Sequence, residues 1–236
     1  MSNLPVYEAR WQPAPASAEA AGPTATVRGA HYMVRLVDGS TLELPLRPLP
    51  GGDQAIALLM SNQTAFAVED ALRALLVRVA APLAPDVIVG MPTMGLDYAR
   101  LAARDLGHAD YVALGLSRKF WYRDELSEPV CSATSPGQAK SVYLDPALVA
   151  RLAGRRTLIV DDVINTGASA VAALRLVRRA GAQVVGILAA LTEGHAWRQE
   201  LAQVGPEWPG QVHALGHIPM FERTATGEWQ PIAATE

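Results

Sequence analysis

Residues Arg156 to Ser169 read RTLIVDDVINTGAS. Leu158, Ile159 and Val160 form a short apolar run of the buried-strand type. Two adjacent carboxylates, Asp161 and Asp162, follow at once. Then come the small-residue turn Asn165-Thr166-Gly167-Ala168-Ser169 and an alanine-rich helical stretch. The order is strand, loop, helix start, with acids at the strand's carboxyl end, where parallel α/β sheets bind ligands. A helix N-terminus offers unpaired N–H groups and a partial positive charge to a phosphate. Thr166 and Ser169 add hydroxyl donors, and Gly167 lets the backbone approach an anion closely.

A carboxylate pair beside a phosphate repels it unless hydroxyls or a cation intervene. A sugar phosphate meets both demands: its phosphate fits the turn and its hydroxyls meet Asp161 and Asp162. Mg²⁺ suits the same oxygen-rich surroundings. The bland alternative is a generic strand-end acid pair, as in nucleotide-triphosphate hydrolases or phospho-acceptor domains. A P-loop also requires a Gly-Lys pair, and this chain contains none.

The rest of the chain sets the frame. Its 236 residues suit one α/β domain with additions, and half of them are hydrophobic, ample for a core. A net charge of −3 provides no global basic field for nucleic acid. The single cysteine, Cys131, excludes an intramolecular disulfide framework and fits a reducing cytosol. It is read as an ordinary thiol, because no nucleophile elbow or partnered His lies nearby. The start lacks the apolar core of a signal peptide. No stretch approaches the roughly 18 apolar residues of a membrane span. Residues 12–26 are rich in Ala, Pro, Ser and Thr without periodicity. Residues 1–30 are therefore expected to be a flexible lead-in, and 31–236 a single domain with its core at about 55–216.

Along the chain, Tyr32–Leu36 and Thr41–Leu46 flank an Asp38-Gly39 pair, a hairpin signal. Pro45, Pro48 and Pro50 are expected to end it. A helical pattern runs from Gly51 to about Pro82, carried by Ile56, Leu59, Phe66, Val68, Leu72, Leu75 and Leu76, with a polar break at Ser61-Asn62-Gln63. Asp86–Gly90 is read as a buried strand, Met91–Gly95 as its loop and Leu96–Leu106 as the next helix. Tyr111–Leu114 is a second strand. Residues 115–142 lack a clear period, and a loop of that length inside a compact domain is often functional. The strand and helix of the opening motif follow (helix about 169–180), then strands at Gln183–Leu191 and Val212–Leu215 and a mixed tail. Strands alternating with helices from 86 onward predict a parallel sheet with right-handed crossovers.

The motif LIV-DD-VI-N-TG-A-S resembles the phosphoribosyl-pyrophosphate (PRPP) signature of type I phosphoribosyltransferases, in an adenine- or xanthine-type form. The resemblance extends over about 55–216. It implies an α/β fold with a Rossmann-like parallel sheet, the N-terminal hairpin and accessory hood elements around it. It further implies transfer of the 5-phosphoribosyl group from PRPP to a nitrogenous base, a purine by preference, with release of pyrophosphate. In that scheme Asn165, Thr166, Gly167, Ala168 and Ser169 hold the 5′-phosphate. Asp161 and Asp162 hold the ribose hydroxyls, directly or through Mg²⁺.

The loop Met91-Pro92-Thr93-Met94-Gly95 is similar to the family's pyrophosphate loop, although it lacks the Arg or Lys that some members carry there. A plain strand-to-helix turn is the alternative. Arg118 and Lys119 resemble the segment opening the mobile catalytic loop, where cations neutralise a leaving pyrophosphate. Phe120, Trp121 and Tyr122 follow them as candidate lid aromatics. Lys140 lies near that loop's end. A solvated basic loop with anchored aromatics is the alternative for these residues. Glu193 stands where xanthine-type enzymes have an acid near the base, to orient or deprotonate it, or is a surface acid. Asn62 is a base-edge reader or a helix cap. Trp197, near His195, is a core residue or a stacking platform. The resemblance also implies nucleotide salvage, a cytoplasmic homodimer, and PRPP and a nucleobase as partners, without nucleic acid or membrane. A non-catalytic PRPP or nucleotide sensor on the same fold is the alternative function.

Overall fold

The computed structural model describes residues 7–15, 26–130 and 140–236. Cys131 lies outside them. In chain order the strands and helices are β1 (Arg10–Gln12), β2 (Thr26–Arg28), β3 (His31–Arg35), β4 (Thr41–Pro48), β5 (Gln54–Ala57), α1 (Phe66–Ala80), β6 (Val87–Gly90), α2 (Gly95–Asp105) and β7 (Val112–Ala113). They continue as β8 (Ser127–Val130), β9 (Lys140–Tyr143), α3 (Val149–Leu152), β10 (Arg156–Ile164), α4 (Ala168–Arg179), β11 (Gln183–Glu193), α5 (Ala196–Ala202), β12 (Val212–Ile218), β13 (Phe221–Arg223) and β14 (Trp229–Pro231).

The expected parallel sheet forms in the order β12-β11-β10-β6-β7. The apolar run of the motif is its central strand. Side chains alternate across a strand, so Leu158 and Val160 join one core layer, with Leu72 and Leu76 of α1 and Tyr98 and Ala99 of α2. Ile159 joins the other layer, with Leu174 and Val177 of α4. Leu158, Ile159 and Val160 are fully buried, each contributing roughly 1.5–3 kcal/mol of burial free energy. Covered on both faces, the strand reads as an unbroken apolar run rather than an alternation.

A second, antiparallel sheet runs β14-β13-β5-β4-β3-β2, with β1 on β4. It contains the expected hairpin. In its turn the main-chain N–H and hydroxyl of Ser40 donate to the Asp38 carboxylate, the N–H at 2.9 Å.

Several expectations are corrected. The helix expected from Gly51 starts only at Phe66. Gln54–Ala57 is strand β5, paired with the nearby β4 on one side and the distant β13 on the other, and this pairing overrides local periodicity. Phe66, assigned to the helix's apolar positions, is 82% exposed. Pro45 does not end the hairpin. It lies within β4, and its carbonyl accepts the Leu58 N–H at 2.9 Å. Residues 115–142 are not wholly irregular, since β8 and β9 pair antiparallel. The tail after Leu215 forms the rest of β12 and then β13 and β14. Within the expected lead-in 1–30, β1 and β2 are strands paired to β4 and β3. Among the described residues no helix is long and apolar enough to cross a membrane.

Candidate active site

The carboxyl ends of β10 and β11, the loop after β6 and the segment from β5 onward surround a cavity of about 290 Å³. β10 continues past the acids to Ile164, so Asp161 and Asp162 sit on the last residues of the strand rather than in a loop. Alternation sends Asp161 inward, where it is buried, while Asp162 stays partly exposed. The Asp162 N–H donates to Asp161 Oδ1 at 2.9 Å. The start of α2 rests on this acid: a Cβ on Gly95 would lie 2.7 Å from Asp161 Oδ1 and 2.8 Å from its Cα. Only glycine permits that approach. Burial first, and then the neighbouring Asp162 charge, push the Asp161 carboxyl well above its ordinary range. Burial likewise raises Asp162.

The turn after β10 carries Gly167 at φ +88°, ahead of α4. A Cβ there would lie 3.0 Å from the Trp197 Cα. Asn165 reaches across to β11: its Nδ2–H donates to Glu193 Oε2. Glu193 is 4% exposed and lines the cavity, and its Oε1 is buried without a hydrogen-bond partner. Burial pushes its pKa up to about 7. Glu193 is thus a buried acid at the cavity wall, not a surface one.

Of the expected site residues, Asp161, Asp162, Asn165, Thr166, Gly167, Ser169, Pro92, Thr93, Met94 and Glu193 line the one cavity. Ala168, outside the lining, is the first residue of α4. Met91 points into the core, 1% exposed, and its N–H donates to the Val160 carbonyl at 2.9 Å. Gly95 makes the helix-start contact with Asp161. Arg118 and Lys119 are exposed and stand outside the lining, with Arg118 paired to Asp124. Lys140 opens β9, opposite Val130, also outside the lining. Asn62 is exposed and does not line the cavity. Its neighbour Ser61 is buried instead, and its hydroxyl donates to the Met94 carbonyl at 2.8 Å. Trp197 is a core residue, its Nε1–H donating to the Gly194 carbonyl at 3.0 Å.

Sequence reasoning missed Ile56, Ala57, Leu58 and Leu59, which line the cavity. All four fall within the expected helix, Ile56 and Leu59 as named apolar positions. The proline-bounded segment between β4 and Ser61 was the available signal for a strand there. The described lining contains three acids and no Arg or Lys. A helix start, hydroxyls and main-chain N–H groups suit a phosphate, and the Asp pair suits vicinal hydroxyls. Among the described residues no group of three or more His, Cys, Asp or Glu is placed to hold a metal. Two carboxylates with ligand oxygens fit Mg²⁺, which favours one or two carboxylates plus substrate phosphates.

The family model for the phosphoribosyl transferase domain matches residues 58–217. The chain is 30% identical to the adenine phosphoribosyltransferase of Salinispora tropica over 198 residues, 81% of this chain and 96% of that one. It is 33% identical to the orotate phosphoribosyltransferase of Pyrobaculum aerophilum over 143 residues, 61% of this chain. That match spans 63% of the Pyrobaculum protein's length. The crystal structure of the Giardia lamblia adenine phosphoribosyltransferase, complexed with 9-deazaadenine, superimposes with a TM-score of 0.59. It covers 74% of this chain and 93% of that one at 18% identity, a likeness of fold. With the acid pair, the 165–169 turn and a parallel sheet hooded by the antiparallel one all present, the chain belongs to the type I phosphoribosyltransferases, a family of pentosyl-transferring enzymes.

Proposed function

We propose that this chain transfers the 5-phosphoribosyl group of PRPP to a neutral, purine-class base and releases pyrophosphate, in nucleotide salvage. One observation carries the reading: the acid pair, the 165–169 turn and the 92–94 loop open onto the same cavity. The Asn165–Ser169 turn at the start of α4 takes the 5′-phosphate. Asp161 and Asp162 accept from the ribose hydroxyls. Pro92, Thr93 and Met94 face the diphosphate, with Met91 and Gly95 anchoring the loop at its two ends. Mg²⁺, bound with PRPP through these carboxylates, supplies charge neutralisation at the diphosphate. Arg118, Lys119 and Lys140 supply further positive charge for that neutralisation.

In the reaction the bond from the anomeric carbon to the diphosphate oxygen breaks and a bond to a ring nitrogen of the base forms. The ring nitrogen gives up its proton, which passes to the departing diphosphate or to water. The protein's part is positioning and electrostatics rather than a covalent nucleophile. Glu193 orients the base.

Adenine and orotate enzymes are both among the relatives, and the charge of the lining supports the purine side. Orotate carries its own carboxylate. The described lining, with three acids and no Arg or Lys, offers that carboxylate no ion-pair partner of its own. Nothing observed favours the sensor alternative. We further propose that the strands and helices from β1 to β14 act as one domain, cytoplasmic and homodimeric, without nucleic acid or membrane partners.

The test is calorimetric titration of PRPP with Mg²⁺, followed by pyrophosphate release across adenine, hypoxanthine, guanine, xanthine and orotate. Turnover on a purine and none on orotate is expected. Turnover on orotate alone would refute the purine assignment. Asp161→Asn with Asp162→Asn should abolish PRPP binding in a folded chain, and unchanged PRPP affinity would overturn the site.

A further inference from the structure

The family match ends at 217, but the remaining residues tie the cavity walls together. After β12 the chain crosses to the hood sheet, where β13 pairs with β5 through Phe221–Ala55 and Glu222–Gln54. β5 carries the cavity-lining Ile56 and Ala57. Phe221 is fully buried, with its ring 4.9 Å from that of Tyr32. β14 pairs back on β13, and the chain then returns to the end of β11.

The return is hydrogen-bonded at both ends. The Gly194 N–H donates to the Ile218 carbonyl at 2.9 Å. His217 Nε2–H donates to the Thr235 carbonyl at 2.8 Å, and His195 Nε2–H to the main-chain oxygen of Glu236 at 2.7 Å. A carbonyl only accepts, so both imidazoles carry their proton on Nε2. His217 Nδ1 is then free to accept from the Thr192 hydroxyl, 3.1 Å away. The two rings stack, with centroids 5.0 Å apart and planes 8° from parallel. Thr235 closes the loop on itself. Its hydroxyl accepts the Met220 N–H at 2.9 Å and donates to the Ile232 carbonyl at 2.7 Å.

We infer that residues 219–236 form a strap that positions the base-side walls of the cavity, joining hood strand β5 to the Thr192–His195 segment that carries Glu193. Thr235, His195 and His217 are positioning residues: none of them lines the cavity, and each acts through β5 or Glu193. The strap reaches the Asp161–Ser169 wall only indirectly, through the Asn165–Glu193 hydrogen bond, because that wall is otherwise built by β10 and α4. What the strap does to the base rests on the proposed transferase activity; its mechanical role does not.

The experiment compares the parent chain with Thr235→Val, which keeps the side chain's shape and loses both hydroxyl bonds, and with Thr235→Ser, which restores them. Hydrogen exchange is followed in peptides covering 54–59 and 192–197, and KM is measured for base and for PRPP. Thr235→Val should speed exchange in both peptides. It should also raise the base KM about threefold to tenfold, the effect of losing one or two hydrogen bonds, with a clearly smaller change in the PRPP KM, since only the Asn165–Glu193 bond links the two sides. Thr235→Ser should reverse both changes. Faster exchange confined to 219–236, or an equal rise in both KM values, overturns the strap. Should Thr235→Val fail to fold, His217→Phe, which keeps the ring stack and loses both hydrogen bonds, is measured in the same way. If the parent chain binds no PRPP, the transferase reading falls and the exchange pattern alone decides the strap.

Discussion

The cavity wall from Asp161 to Ala170 comes from one strand end and the turn after it. The wall from Ile56 to Leu59 depends on a strand whose partners are Leu46 to Pro48 on one side and Phe221 and Glu222 on the other. The first wall is local. Its acids, its turn and its helix start follow one another along the chain, and each finds its position from backbone geometry. The second joins a local hairpin-like pair, β4 and β5, to the distant β13, and it holds its shape only while all three stay paired. A site divided in this way can keep its phosphate chemistry constant while its base side varies with the surrounding hood.

That contrast gives a ranking of effects. Phe221→Ala empties a fully buried position in the hood core and should cost about 3–5 kcal/mol of stability, measured by denaturant titration. In whatever fraction stays folded, PRPP affinity should survive and base affinity should suffer. If PRPP affinity falls first, the two walls are not independent. Gly167→Ala is the matching lesion on the phosphate wall. The added methyl meets Trp197 at 3.0 Å, and φ is +88°. It should cost about 1–3 kcal/mol through strain and overpacking and weaken PRPP binding by calorimetry, leaving the hood intact.

Glu193→Gln sharpens the comparison at the junction of the two walls. The folded pKa of Glu193 is raised from the ordinary 4.5 to about 7 by burial. The proton is therefore bound more tightly in the folded state. The stability this contributes is complete below pH 4.5 and is lost as pH rises through about 7. Glutamine stays neutral and still accepts from Asn165. The variant should therefore lack that loss, and the Tm of the parent should fall relative to it as pH rises from about 5 to about 8. Parallel Tm profiles would show that Glu193 is not the buried acid described.

The smallest effect separates two neighbours. Ser61→Ala removes the hydroxyl bond to the Met94 carbonyl and should cost about 1 kcal/mol, with a modest change in turnover from a looser 92–94 loop. Asn62→Ala, at an exposed position outside the cavity, should leave stability and base KM unchanged. A clear rise in base KM for Asn62→Ala would return that amide to the site.

Much of the site could be read from residue order alone. The run Leu158-Ile159-Val160 has the composition of a strand buried on both faces, and Asp161 to Ser169 needs only the strand-to-helix connection to become a pocket wall. The 92–94 loop was legible for the same reason, since it too comes after a short apolar strand. Arg118 and Lys119 stood out by residue type, but both are exposed and outside the cavity lining, a placement that residue type does not encode. Glu193 was found as an acid at a strand end. That it is buried and bonded to Asn165 depends on β10 and β11 lying side by side.

Sequence by itself determined the parallel sheet, the acid pair and the phosphate turn, because these arise from patterns a few residues long and from the fixed geometry of strand, turn and helix start. Only the tertiary structure decided that Gln54–Ala57 is a strand rather than the first turns of a helix, that Ser61 rather than Asn62 faces inward, and that residues 219–236 brace the hood. The bond from Ser61 to Met94 and the pairing of β13 with β5 join residues more than 30 positions apart, and local periodicity carries no record of them.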